Sequence, residues 1–168
     1  MCEKPPPKVA SVRIAVGCDH AGFPLKALAI SELKRLGREV LDLGTNSDEA
    51  VDYPDYAQAV GEAVMRGEAG RGLLVCGSGV GASVAANKIP GVRAATCHDT
   101  FSARQGVEDD DMNVLCLGAR IVGPELALEI IRAWDGAQFS NAERHLRRLG
   151  KVKAIEAKYQ KGGGNTHG

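Results

Sequence analysis

Apolar positions fall into two alternating rhythms along the chain. Five short runs, Val12–Val16, Val40–Leu43, Leu73–Cys76, Ala94–Cys97 and Val114–Leu117, are apolar on both faces and mostly end at Gly, Asp or Ser. Strands buried on both sides of a parallel sheet read this way. Between them apolar residues recur every three to four positions: Leu25, Leu28, Leu33 and Leu36; Ala57, Val60, Ala63 and Val64; then Leu126, Ile130, Ile131 and Trp134. That spacing lines one face of a helix. Five βα units in series predict an α/β fold in three layers, α/β/α, with a five-stranded parallel sheet covered on both faces. An extra C-terminal helix is expected over Asn141–Lys158, where charge dominates and the apolar face narrows to Leu146, Leu149, Val152 and Ile155. Such a helix extends from the body or packs on a partner chain.

The 168 residues suit one ordinary domain, which buries roughly 70% of the surface its unfolded chain exposes. Pro-Pro-Pro near one end and Gly-Gly-Gly near the other bracket the periodic part. Residues 1–10 are therefore expected as a disordered extension, 11–160 as a single domain and 161–168 as a disordered tail. Lys and Arg number 21 and so do Asp and Glu, so no overall field draws in nucleic acid or an anionic membrane, and any anion binding is local. No apolar run approaches the roughly 18 residues of a membrane span, and the start has no signal-peptide core; a soluble, cytoplasmic protein is expected. Cys2, Cys18, Cys76, Cys97 and Cys116 are odd in number and lack CxxC spacing, which speaks against a disulfide framework and against a zinc site. Taken singly, each of the four in or just after an apolar run reads as a small buried hydrophobe.

Open parallel sheets place ligands outside the carboxyl ends of their strands, so chemistry is sought there. Gly17-Cys18-Asp19-His20-Ala21-Gly22-Phe23 follows the first strand and sets a carboxylate beside an imidazole; the plainer alternative is a capping Asp19 and a solvated His20. Cys76-Gly77-Ser78-Gly79-Val80-Gly81-Ala82-Ser83 follows the third and leads into a helix ending near Asn87-Lys88. Amide donors at such a helix start stabilise a phosphate or an oxyanion, and the same environment makes Cys76 a usable base. The stretch lacks the Gly-Lys-Ser/Thr of a P-loop but satisfies GxGxxG/A, with Asp99 placed 22 residues after Gly77 as a ribose-binding acid would be. The remaining length leaves no room for a dehydrogenase's substrate domain, which sets that reading aside. His98-Asp99 follows the fourth strand, and the acidic run Glu108–Asp111 before the fifth reads as a solvated loop. Arg120 follows the fifth strand; Arg144 and Arg148, four apart, share one helical face and can clamp a phosphate or simply confer solubility.

In this order the motifs closely resemble the type B ribose-5-phosphate isomerases, a family that includes galactose-6-phosphate isomerases. The match runs from about Val12 to Lys158. Its carriers are the 17–23 motif, Asp52-Tyr53-Pro54, Cys-Gly-Ser-Gly-Val-Gly at 76–81, Ala85-Ala86-Asn87-Lys88, Asn113-Val114-Leu115, Gly118-Ala119-Arg120 and Arg144-His145. The resemblance implies a flavodoxin/Rossmann-like sheet, no metal and no organic cofactor. It also implies a homodimer or dimer of dimers whose sites combine residues of two chains around a small sugar phosphate. It makes Cys76 the base that moves a proton between C1 and C2 through a cis-enediolate. The amides of Gly77, Ser78, Gly79, Val80 and Gly81 receive the enediolate oxygens, and the Ser78 hydroxyl assists. Asp19 and His20 contact the sugar; Arg120, Arg144 and Arg148 bind phosphate. A glutamate used as base elsewhere in the family is Ala82 here.

One departure stands out. The family's usual His-Asn pair before Asn-Val-Leu, whose histidine helps open the furanose ring, is Asp109-Asp110 here. Three replacements compete. Asp109, crowded by Glu108, Asp110 and Asp111, donates the proton itself, since neighbouring negative charges favour a neutral acid. His98 or His20 substitutes. Or the substrate is a tetrose 4-phosphate, whose blocked O4 cannot close a furanose. The leading expectation is ribose 5-phosphate/ribulose 5-phosphate isomerisation; the alternatives are a tetrose-phosphate isomerase such as one acting on erythrulose 4-phosphate, and a non-catalytic phosphate-ligand module.

Overall fold

The computed structural model describes residues 12–160, so the expectations for residues 1–10 and 161–168 lie outside the described residues. Five strands form one parallel sheet: β1 (Ile14–Cys18), β2 (Val40–Asp42), β3 (Arg71–Cys76), β4 (Ala94–Thr96) and β5 (Val114–Gly118), in the order β2-β1-β3-β5-β4. All neighbours run parallel, with Ile14 opposite both Val40 and Arg71, and Val114 opposite both Gly72 and Ala94. The doubly wound sheet expected from the apolar runs is present. Its order exchanges the last two strands relative to the 2-1-3-4-5 order of flavodoxin, so β5 lies inside and β4 forms an edge. β1 begins two residues later than its apolar run and continues through Gly17 and Cys18, because the ladder with β3 extends to Leu74 and Val75.

Six helices follow: α1 (Phe23–Arg35), α2 (Tyr53–Met65), α3 (Val80–Ala86), α4 (Thr100–Asp110), α5 (Pro124–Gly136) and α6 (Glu143–Gln160). Proline stands in the first turn of α1, α2 and α5, where its missing N–H is lost to no bond and its fixed φ suits the helix. One face of the sheet is sealed by Leu25, Ala29 and Leu33 of α1, Ala103 and Val107 of α4, and Ile130, Ile131 and Trp134 of α5. The opposite face is sealed by Ala57, Val60 and Ala63 of α2 with Ala82 and Ala86 of α3. Small residues dominate that second layer, which lets α2 and α3 lie close to the sheet and holds the turn after β3 near its end.

The acidic run is not a solvated loop. Glu108, Asp109 and Asp110 form the last turn of α4, and Asp111 caps it in the left-handed region at φ 52°. Arginines offset the charge: Glu108 pairs with Arg104 one turn back, and Arg93 binds both the Asp111 carboxylate and its carbonyl oxygen at 2.8 Å. Asp99, the candidate ribose ligand, is spent as the N-cap of α4, accepting from the Ser102 N–H at 2.7 Å; it also follows β4, which β5 separates from β3. The dinucleotide reading fails on both counts. No helix among the described residues is long and apolar enough to cross a membrane.

Candidate active site

The turn after β3 is built around a buried sulfur. Cys76, the last residue of β3, is 5% exposed, and the Gly79 N–H donates to its Sγ at 3.1 Å. Gly79 can aim that amide because its φ is +80°, in the left-handed region open to glycine. The Val80 N–H goes to Ser78 Oγ at 3.3 Å, so two of the five amides assigned to an oxyanion have partners inside the turn. The first bond between turns of α3 runs from the Ser83 N–H to the Gly79 carbonyl, which leaves the helix-start amides of Gly81 and Ala82 with no intrahelical acceptor. Thr96, at the end of β4, donates its hydroxyl to the Gly79 carbonyl at 3.0 Å and braces the turn from the side.

Two neighbouring strand ends join it. The Ala119 and Arg120 amides donate to the Cys76 and Gly77 carbonyls, stitching the turn after β5 to the turn after β3 and bringing the Arg120 guanidinium beside Gly77 and Ala21. Asp19 is buried and its Oδ1 accepts from the Gly22 N–H at 2.9 Å; Gly22 in turn lies so close to the Val75 carbonyl that no Cβ would fit. His20 Nδ1 lies 3.1 Å from the Val51 amide nitrogen and 3.2 Å from the Val51 carbonyl. A neutral ring accepting that N–H carries its proton on Nε2; a protonated ring donates Nδ1–H to the carbonyl and carries Nε2–H as well. A neutral ring that instead donates Nδ1–H to the carbonyl presents Nε2 as an acceptor, so Nε2 faces a ligand as donor or acceptor according to the tautomer. His20, Ala21, Asp48 and Arg120 line a cavity of about 470 Å³. Cys76, Gly77 to Gly81, Asp19, His20 and Arg120 thus share the carboxyl edge of the sheet, as the sequence led us to expect.

The remaining candidates do not join them. Asp109 and Asp110 end α4 just before β5 begins, at the amino edge, roughly 15 Å of strand away. Asp109 Oδ1 faces His145 Nε2 at 3.4 Å, and His145 Nδ1 lies 2.6 Å from Ser140 Oγ. Arg144 and Arg148 are exposed on α6, which this pair, the Ser140 N–H to the Glu108 carbonyl, and the Gly91 N–H to Glu156 tie to the body. Among the described residues no hydrogen bond or ion pair joins α6 or the end of α4 to the turn after β3.

A model of the ribose/galactose isomerase family matches residues 14–152. Ribose-5-phosphate isomerase B of Escherichia coli K12 is 49% identical over 144 residues, 86% of this chain and 96% of that protein. This chain belongs to the ribose/galactose isomerase family. D-erythrulose-4-phosphate isomerase of Pectobacterium atrosepticum is 43% identical over 127 residues, 75% of this chain and 84% of that protein. The structure of Clostridium thermocellum ribose-5-phosphate isomerase B superposes with a TM-score of 0.85 at 48% identity, covering 88% of this chain and 99% of that one.

In this ribose/galactose isomerase the other described cysteines are shut off from proton chemistry. Burial pushes the Cys18 and Cys97 thiols up to about 11 and the Cys116 thiol higher still, whereas Cys76 meets an amide. Sequence reasoning missed three supports of the site: Thr96, the Val51 backbone, and Tyr53, whose ring fills the space where a Gly81 Cβ would stand. Tyr53 was visible in Asp52-Tyr53-Pro54 without an assigned task. The others depend on contacts between distant segments, which no local pattern announces. His98, weighed as a ring-opening acid, accepts from the Gly118 N–H through Nε2 at 3.0 Å, so that nitrogen is occupied.

Proposed function

We propose that this isomerase interconverts ribose 5-phosphate and ribulose 5-phosphate, a step of pentose phosphate metabolism, through a cis-enediolate with Cys76 as base. The observation that carries the reading is the Cys76 Sγ held by the Gly79 N–H at the mouth of a glycine turn whose next amides, those of Gly81 and Ala82, have no helical acceptor. A thiolate there takes the C2 proton of the open-chain aldose and returns it to C1, while the C2 hydroxyl proton passes to O1, so the C1 carbonyl becomes a hydroxyl and the C2 hydroxyl a carbonyl. As C–H bond electrons move toward the carbonyl, negative charge grows on oxygen, and amide donors with the Ser78 hydroxyl stabilise it. His20, in the tautomer whose Nδ1 accepts the Val51 N–H, and Arg120 supply donors for the sugar hydroxyls and the phosphate. The E. coli and C. thermocellum relatives, covered almost end to end, support ribose 5-phosphate as the substrate.

The active unit is proposed to be a homodimer. Arg144, Arg148, Asp109 and Asp110 sit across the sheet from Cys76, so a site using both sets draws them from two copies. Val80 and Val84 on α3, and Leu146, Val152, Ile155 and Tyr159 on α6, are large apolar side chains left at least half exposed. An open groove of about 720 Å³ runs between α6 and the β4 edge. Together they offer the apolar surface that a second copy would cover.

A second reading, isomerisation of a tetrose 4-phosphate, is favoured by the carboxylate at Asp109 and by the P. atrosepticum relative. Parallel assays on ribose 5-phosphate and erythrose 4-phosphate separate the two; absent pentose turnover by folded protein overturns the first. Cys76→Ala is expected to keep the circular dichroism spectrum and to lower kcat by about 10² to 10⁴, the usual cost of losing a general base. Near-normal turnover would assign the proton transfer to another group.

A further inference from the structure

We infer that Asp109 and His145 form one proton-holding couple, the acid that opens a furanose ring, with Asp109 meeting the sugar and His145 positioning it from behind. The inference rests on the isomerase reading above and on a second copy bringing the end of α4 to the turn after β3.

One tautomer of His145 gives the hydrogen-bond chain a direction. The Ala142 N–H donates to Ser140 Oγ at 3.2 Å, so the Ser140 hydroxyl is free to donate to His145 Nδ1 at 2.6 Å. A ring accepting at Nδ1 carries its proton on Nε2, which faces Asp109 Oδ1 at 3.4 Å. If the ring takes a second proton, the Ser140 hydroxyl rotates and accepts from Nδ1–H while still receiving the Ala142 amide. The chain therefore stores one extra proton without leaving a buried polar group unpaired, a condition that buried donors and acceptors impose. Charges around it are already matched: Glu108 by Arg104 and Asp111 by Arg93, with exposed Arg144 and Arg148 flanking His145 on α6.

Exposure divides the labour. The His145 side chain is 4% exposed and that of Asp109 is 27% exposed, so only the carboxyl can touch a ligand. The shared proton leaves through Asp109 to the ring oxygen as the bond from that oxygen to C1 breaks and its electron pair stays on oxygen. The C1 hydroxyl oxygen becomes the carbonyl and releases its proton to water, from which the couple is reloaded. A tetrose 4-phosphate has no furanose ring and does not use this step.

The test compares kcat/KM on ribose 5-phosphate and on erythrose 4-phosphate for wild type, D109N, H145Q and S140A. The pentose-to-tetrose ratio is expected to fall about 10²-fold in D109N, an acid's usual contribution, and to move in the same direction in H145Q and less in S140A. A ratio that stays put in D109N, whether both activities fall together or neither does, overturns the inference; His20 acting alone would give that result. Should H145Q fail to fold, D109N at a partly exposed helix end decides the question. A wild type that turns over only the tetrose overturns the couple while leaving the isomerase standing. One that turns over neither overturns the isomerase reading itself.

Discussion

Gly79 shows how one residue can set both the shape and the chemistry of a turn. Its φ of +80° points its amide at Cys76, and the space a side chain would need is filled by the Thr96 methyl at 2.9 Å and the Leu117 carbonyl carbon at 3.1 Å. Gly79→Ala meets a backbone penalty of about 1 to 2 kcal/mol for a left-handed L-residue, with the contacts added. A lower thermal midpoint is expected, together with a kcat that falls more than KM rises, since the amide serves the sulfur proposed as the base. Thermal unfolding and steady-state kinetics check it; a variant with an altered midpoint and intact kcat would make Gly79 a purely structural residue. At this scale the sequence displayed the placement well: Cys76, Asp19, His20 and Arg120, picked by looking just past each strand, all lie at the carboxyl edge of the sheet. It could not display the partners, because Asp109 and His145 are 36 positions apart and only the docking of α6 on α4 brings them together.

The elements themselves were legible because short continuous apolar runs and 3.6-residue periods are local properties. The misreading of Glu108–Asp111 is instructive: Arg104 stands four residues before Glu108 and supports a helix there, while Arg93, which holds Asp111, comes from the start of the neighbouring strand. Element joins to element most firmly where Glu32 of α1 receives both Arg35 and Arg132 of α5. Hydrogen bonds from Arg35 and Arg132 lower the Glu32 carboxyl to about 2, against about 4.3 in an unfolded chain. A lowered carboxyl contributes stability that is complete above the unfolded value and is lost as pH falls toward 2. Glu32→Gln should therefore melt below wild type at pH 7, and the gap should close between about pH 4.5 and 2. A gap of constant size across that range would mean that the clamp works by packing rather than charge.

At the scale of the whole molecule, the strand order was the feature least visible in the sequence. Apolar runs specify that five strands exist, but whether β5 or β4 sits beside β3 depends on which helix faces fit together. The answer matters, because it puts β4, the groove and α6 at one edge of the sheet. If that edge joins a second copy, each site takes Cys76 from one chain and Arg144 from the other. Mixing Cys76→Ala with Arg144→Ala, each inactive alone, should then restore roughly a quarter of wild-type activity, because half of the dimers are mixed and one of their two sites is intact. Mixtures that remain inactive while exchanging subunits would confine the site to a single chain.

If the proposed pairing of copies completes the site, the placement of Cys76 and Asp109 at opposite ends of the strands also sets when the protein can turn over its substrate. A lone copy would then carry both groups but no complete site, so turnover would follow the population of pairs and vanish on dilution below their dissociation constant. Sugar phosphate bound between two chains would stabilise the pair by mass action. Supply of substrate would then assemble the machine that consumes it.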